Sequence, residues 1–194
     1  MPIIKSTESW EYHKNFLLDT DIKYLKEKMQ QIPWRQVTYS KKGRAQIITP
    51  RYSWVSGGYL YFNNKHPLWV LPLLEYVQAY FGERFNYILY SKYNSPKHSI
   101  SPHSDDEFFL GHNPKIAILS IGDTVNFELK NKTTKEKLTF SFEENDLILM
   151  KNNCQEIFTH SIPKDKTFIN KTRYSLSFRK VIHTYGDKNY NFYN

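Results

Sequence analysis

One cysteine, Cys154, stands among 194 residues. An intrachain disulfide and a cysteine-rich zinc site are both excluded, and an intracellular, reducing compartment (nucleus or cytoplasm) is expected. Long apolar runs are missing as well. The longest apolar-looking stretch, residues 67–77, is broken by Pro72, so no membrane partner is expected. Residues 1–6 carry no hydrophobic leader. The cluster Lys41-Lys42-Gly43-Arg44 is too small to read as a targeting signal. The length suits a single domain, with no internal repeat and no low-complexity linker, and a monomer is expected.

What is abundant is aromatic and basic. Aromatic residues make up 16% of the chain, and the formal net charge is +8. Aromatics can pack a core or stack on flat ligands, and composition does not separate the two. A basic surface attracts polyanions such as nucleic acid, although many basic proteins bind none.

Periodicity divides the chain into a mixed N-terminal part and a strand-rich C-terminal part. Ile22, Leu25 and Met29 fall at helical spacing, which predicts a helix over 19–31 capped by Asp19 or Thr20. Leu74, Val77 and Phe81 predict a second helix over 71–81, with Pro72 in its first turn and Gly82 at its stop. Between them, residues 36–64 carry turns and aromatics and are expected to form hairpins. Strands are predicted at 87–93, 116–121, 125–130, 137–142, 147–151, 156–160 and 173–180. Many short strands separated by turns suggest a sandwich or jelly roll.

His103-Ser104-Asp105 is an H-x-D triplet. In an extended segment, side chains two apart share a face, so His103 and Asp105 can grip one ion. Two histidines and a carboxylate on one side of Fe(II) leave open positions for a keto acid and dioxygen. H-x-D is common by chance, and so is a lone histidine at a strand end. His160 is a candidate third ligand. The strand Arg173-Tyr174-Ser175-Leu176-Ser177-Phe178-Arg179 alternates strictly. Either Arg173, Ser175, Ser177 and Arg179 face water, or they form a polar wall whose guanidinium can clamp a carboxylate.

With these motifs in order, the sequence resembles the AlkB family of nucleic-acid dioxygenases over residues 32–181. The segments that carry the likeness are Ile32-Pro33-Trp34-Arg35-Gln36, Thr49-Pro50-Arg51 with Trp54, and Phe85-Asn86 before Tyr93. They continue with Ile100-Ser101-Pro102-His103-Ser104-Asp105-Asp106-Glu107, residues 116–122, His160 and the strand from Arg173 to Arg179. The resemblance implies an α+β fold. Its core would be a double-stranded β-helix (jelly roll) over about 85–182, preceded by N-terminal helices and a β-hairpin nucleotide-recognition lid within 1–84. Residues 183–194 would be a tail.

It also implies Fe(II) held by His103, Asp105 and His160, with 2-oxoglutarate and dioxygen as co-substrates. Arg173 would pair with the distal carboxylate of 2-oxoglutarate, helped by the Tyr93 hydroxyl, and Arg179 would support the metal end. Ser91 and Ser175 stand where the family usually carries asparagine, so two amides are replaced by shorter hydroxyls. Tyr59 and Tyr61 fall where the family stacks an aromatic on a flipped base. Asp106 and Glu107 fall where it places acidic groups near that base, and Arg51 is on the substrate side. Lys41, Lys42, Arg44 and Lys97 are candidates for the phosphate backbone, each equally readable as part of a solvated face. The implied activity is oxidative demethylation of N-alkylated bases in single- or double-stranded DNA, with RNA a further possibility. The alternatives are an enzyme directed at RNA or protein, or a nucleic-acid-binding jelly roll without turnover.

Overall fold

The computed structural model describes residues 3–36, 38–39, 47–48, 51–58 and 64–182. Tyr59, Tyr61, Lys41, Lys42 and Arg44 lie outside the described residues, as do the Thr49-Pro50 element and the tail.

The chain opens with two strands that its periodicity did not reveal, β1 (Ile3–Ser6) and β2 (Trp10–His13). Trp10 and Tyr12 are buried, but polar Glu11 and His13 alternate with them and are themselves taken up by contacts to each other and to Lys151. Helix α1 (Asp19–Met29) follows. Its expected side-chain cap is not made. Leu18 stands at the cap position, and the chain entering the helix is held instead by Asn145, whose amide accepts from Leu17 N–H and donates to Leu17 carbonyl, both at 2.8 Å. A distant partner has taken over the local capping role. The short pair β3 (Thr38–Tyr39) and β4 (Ile47–Ile48), strand β5 (Tyr52–Gly57) and helix α2 (Leu71–Phe81) come next. Gly82 closes α2 in the left-handed conformation expected of it.

The remaining strands are β6 (Tyr87–Tyr93), β7 (Ile100–His103), β8 (Ile116–Gly122), β9 (Val125–Asn131), β10 (Lys137–Phe142), β11 (Leu147–Met150), β12 (Phe158–Ile162) and β13 (Arg173–Arg179). One expected strand starts late: residues Cys154–Ile157 form a single helical turn, α3, before β12. Cys154 is buried in the core there, and its N–H bonds back to Lys151 carbonyl.

Two antiparallel sheets face each other. The larger runs β1-β2-β11-β8-β13-β6-β5 and the smaller β10-β9-β12-β7. This is a jelly roll backed by two helices. Period-two alternation explains the layers. On β8, Ala117, Leu119 and Ile121 point to the helices, where they meet Ile22, Leu25 and Met29 of α1 and Leu74 and Val77 of α2. Ile116 and Ile118 point the other way, into a core with Phe127, Leu129 and Phe142 of the smaller sheet. Strand β13 is buried along its whole length. Tyr174, Leu176 and Phe178 join the helix-side core, which leaves Arg173, Ser175, Ser177 and Arg179 inside the roll. A strand buried on both faces has no solvated side, so its polar face is enclosed within the roll.

Candidate metal centre and co-substrate pocket

The histidines meet because β7 and β12 pair. His103 and His160 are direct cross-strand partners, so their side chains leave the sheet on the same face, with ring centroids 4.2 Å apart. Asp105, two residues past His103, turns back towards both. Its Oδ1 lies 3.6 Å from His103 Nε2 and its Oδ2 lies 3.9 Å from His160 Nε2. One ligand atom from each residue lies within 4.8 Å of the others. A metal with bonds of about 2.1 Å needs cis donors roughly 3 Å apart, so small rotations close these atoms onto one ion. Among the described residues, this is the one group of His, Cys, Asp and Glu with that property.

The surroundings set His160 and Asp105 in the state a cation requires and orient His103. His103 Nδ1 lies 2.9 Å from Ser101 carbonyl, an arrangement that puts the proton on Nδ1 and turns Nε2 to the centre. His160 is buried and stacks against Phe127. Burial drives its imidazole down to about 4, against the pull of Asp105, so it stands neutral with a lone pair to offer. Burial would raise the Asp105 carboxyl, but Arg179 and then the two histidines outweigh it and hold it well below the usual carboxylate range. Arg179 Nη2 is 2.9 Å from Asp105 Oδ2.

The Asp105 loop is pinned from below. Its backbone N–H donates to Gln155 Oε1 at 2.9 Å, and the Ser104 hydroxyl donates to Phe158 carbonyl at 3.0 Å.

From this centre a pocket runs along the inner face of β13, past Ser177 and Ser175 to Tyr93 and Arg173. Ser53, Ser91, Ser175 and Ser120 stand side by side on β5, β6, β13 and β8, and of these Ser91 and Ser175 line the pocket, where their short side chains keep the floor low. Arg173 is fully buried. Its Nε donates to Ser120 Oγ at 3.1 Å, and its guanidinium lies over the rings of Tyr93 and Phe142 at 5.1 and 5.4 Å. Burial pulls it down to about 10 while neighbouring Tyr93 opposes the shift, so it is charged at neutral pH. Both terminal nitrogens, and the Tyr93 hydroxyl beside them, have no hydrogen-bond partner. Buried polar groups are rarely left so. Two adjacent N–H donors and a phenol fit one carboxylate, and the donor set at the other end fits a divalent metal. The residues present therefore suit both Fe(II) and a dicarboxylate.

The profile of the 2OG-Fe(II) oxygenase superfamily matches residues 11–179. The chain belongs to this superfamily. Fe(II) and 2-oxoglutarate are the metal and co-substrate that its name carries. The alpha-ketoglutarate-dependent dioxygenase alkB homolog 3 of Homo sapiens is 30% identical over 177 residues, covering 81% of this chain and 60% of that protein. DNA oxidative demethylase ALKBH2 of Homo sapiens is 25% identical over 169 residues, covering 81% and 60%. The chain thus spans about three fifths of the length of these relatives. The solved structure of OsALKBH1 superposes with a TM-score of 0.60 at 16% identity, covering 91% of this chain and 100% of that one, a likeness of fold. The AlkB resemblance read from the motifs agrees with these relatives.

The residues expected on the substrate side are more scattered. Arg51 lines the pocket and is half-buried. Asp106 and Glu107 are exposed just beyond Asp105. Close approach to the protein and then the Asp105 charge raise the Glu107 carboxyl, with Arg179 opposing. Lys97 is exposed on the loop between β6 and β7. Gln155 and Ser120 escaped the sequence reading. Ser120 could have been found from its register with Ser175 once the strands were paired. Gln155 offered no pattern, since it acts through a backbone N–H on a loop 50 residues away.

Proposed function

We propose that this chain is an Fe(II)- and 2-oxoglutarate-dependent dioxygenase that removes N-methyl groups from nucleobases in DNA. One observation carries the reading: a single pocket is lined by His103 and His160, two members of the cluster completed by Asp105, and by Arg173, a buried guanidinium with two unpaired nitrogens. The likeness to a dioxygenase named alkB homolog 3 supports the dioxygenase part of the reading, and the likeness to a DNA oxidative demethylase supports DNA as the substrate.

In this reading His103, Asp105 and His160 hold Fe(II). When bound, the metal supplies oxidation of an N-methyl carbon by dioxygen with 2-oxoglutarate, which leaves as succinate and CO2. The hydroxymethyl group then leaves the base as formaldehyde. Arg173 and Tyr93 take the distal carboxylate and fix the depth at which the keto acid sits. Ser91 and Ser175 bind it more weakly than amides would. Arg179 keeps Asp105 ionised. The inner apolar wall, Phe127 and Ile118 among it, excludes water.

A methyl group on a stacked base cannot reach this depth, so the base is unpaired or flipped. Tyr59 and Tyr61 stack on it. Asp106 and Glu107 favour a cationic lesion such as 1-methyladenine, and Arg51 contacts the substrate at the pocket edge. Lys41, Lys42, Arg44 and Lys97 hold phosphates.

The test is a panel of methylated oligonucleotides, single-stranded DNA, duplex DNA and RNA, assayed by mass with Fe(II) and 2-oxoglutarate. Methyl loss from DNA supports the reading. Loss from RNA alone moves the substrate to RNA. No loss from any of the three, with activity on a methylated protein, overturns the nucleic-acid reading.

A further inference from the structure

Four side chains bear on Asp105: the two histidines, the charged Arg179, and Gln155. Gln155 is a neutral amide and comes from an element with no other evident task. Helical turn α3 lies between β11 and β12, and Gln155 within it is buried although it is polar. Its side-chain oxygen accepts the Asp105 backbone N–H at 2.9 Å, and its side-chain nitrogen faces Met150 Sδ at 3.6 Å. The orientation of the amide follows from this: a donor meets the thioether and the acceptor meets the N–H.

The turn itself is held on two sides. Cys154 is packed in the core, and the Lys132 ammonium donates to Gln155 carbonyl at 2.7 Å. Lys132 N–H also bonds to Ile157 carbonyl at 2.8 Å. The turn is thus tied to the strand end after β9, and through Gln155 it reaches the loop that carries Asp105.

We propose that Gln155 is a positioning residue of the metal centre. By taking the Asp105 N–H it fixes the backbone from which the carboxylate approaches the ion. His103 and His160 are set by strand pairing and need no such support. Asp105 follows β7 in a loop, where the sheet does not dictate its direction. The inference rests on the metal-centre reading given above. It adds that the one ligand outside the sheet is aligned by a neutral acceptor, while Arg179 supplies charge.

The experiment is equilibrium binding of Mn(II), followed through the spin-resonance signal of the free ion, on the full chain. Wild type is compared with Gln155→Met, which removes the acceptor at similar length, and with Gln155→Asn, which withdraws it by one methylene. Gln155→Glu returns an acceptor oxygen to the same place. Partners that orient metal ligands typically contribute about 10- to 100-fold in metal affinity. Gln155→Met and Gln155→Asn are expected to weaken Mn(II) binding in that range, and Gln155→Glu to recover most of it. If Gln155→Met does not fold, Gln155→Asn carries the same comparison. Wild-type affinity in Gln155→Asn, or a Gln155→Glu as weak as Gln155→Asn, overturns the proposal.

His103→Ala separates the two levels. If it binds Mn(II) as wild type does, the metal-centre reading fails and this inference fails with it. If it loses Mn(II) while the Gln155 variants keep it, this inference alone fails.

Discussion

Arg179 and Asp105 form a buried ion pair, Nη2 to Oδ2 at 2.9 Å, at the foot of the candidate metal centre. The guanidinium comes from the last residue of β13 and the carboxylate from the loop after β7. The larger sheet thereby supplies charge to a ligand set carried mainly by the smaller one. Removing one member of such a pair leaves the other buried and uncompensated. Arg179→Met is therefore expected to raise the Asp105 carboxyl and to weaken Mn(II) binding about 10- to 100-fold. Isothermal titration at pH 7 measures it, and unchanged affinity would show that the pair is only structural.

Arg173 gives an opposite pair of outcomes in one variant. Without co-substrate its terminal nitrogens are buried and unpaired, a costly state. Arg173→Met should melt at a higher temperature than wild type when both are free of ligand. The same variant should lose 2-oxoglutarate affinity by about 30-fold or more, in line with roughly 2–5 kcal/mol for a truncated buried charge pair. A variant that is destabilised yet binds 2-oxoglutarate normally would place the clamp elsewhere.

The serine row makes a gain-of-affinity prediction. Ser91 and Ser175 are cross-strand neighbours on the pocket floor. Replacing both with asparagine offers two longer donors. At about 1 kcal/mol for each net hydrogen bond, Ser91→Asn with Ser175→Asn should lower the KM for 2-oxoglutarate by about 5-fold per new bond and up to about 30-fold together. A raised KM would mean that the low floor is needed for space.

Stability of the metal-free protein should depend on pH through His160. Burial depresses its imidazole to about 4 in the fold, against an ordinary value near 6.5. Between those values the unfolded chain takes up a proton that the folded chain does not, so stability present above 6.5 is lost as pH falls toward 4. His103 is shifted the other way: burial acts to lower it, but Asp105 and the Ser101 carbonyl raise it overall. Its contribution is fully present below 6.5 and is lost as pH rises through its folded value. Thermal melts of wild type and His160→Gln from pH 7 to 4.5 should show a steeper loss on acidification in wild type. Parallel curves would contradict the neutral, buried state of His160.

Much of this was legible in the sequence because β13 alternates without a break. That pattern gave the strand, its two faces and the four polar residues that line the pocket. Helix α2 was legible because its apolar spacing, early Pro72 and terminal Gly82 agree. Strand β2 was not, because Glu11 and His13 satisfy each other inside the protein and so mimic a polar exterior. The start of β12 was misplaced because α3 is a single turn, too short to show a helical period. The three ligand candidates could be named, but their meeting depends on the pairing of β7 with β12, which no local pattern encodes. Gln155 was invisible for the same reason, acting on a backbone atom far along the chain.

In the proposed function His103, Asp105 and His160 together hold the iron that oxidises an N-methyl group. The most direct measurement is the yield of succinate and formaldehyde from methylated single-stranded DNA with Fe(II), 2-oxoglutarate and dioxygen. Equal amounts of the two products are expected from wild type, and neither from His103→Ala, Asp105→Ala or His160→Ala. Wild-type yields from any of these three variants would remove the triad from the chemistry.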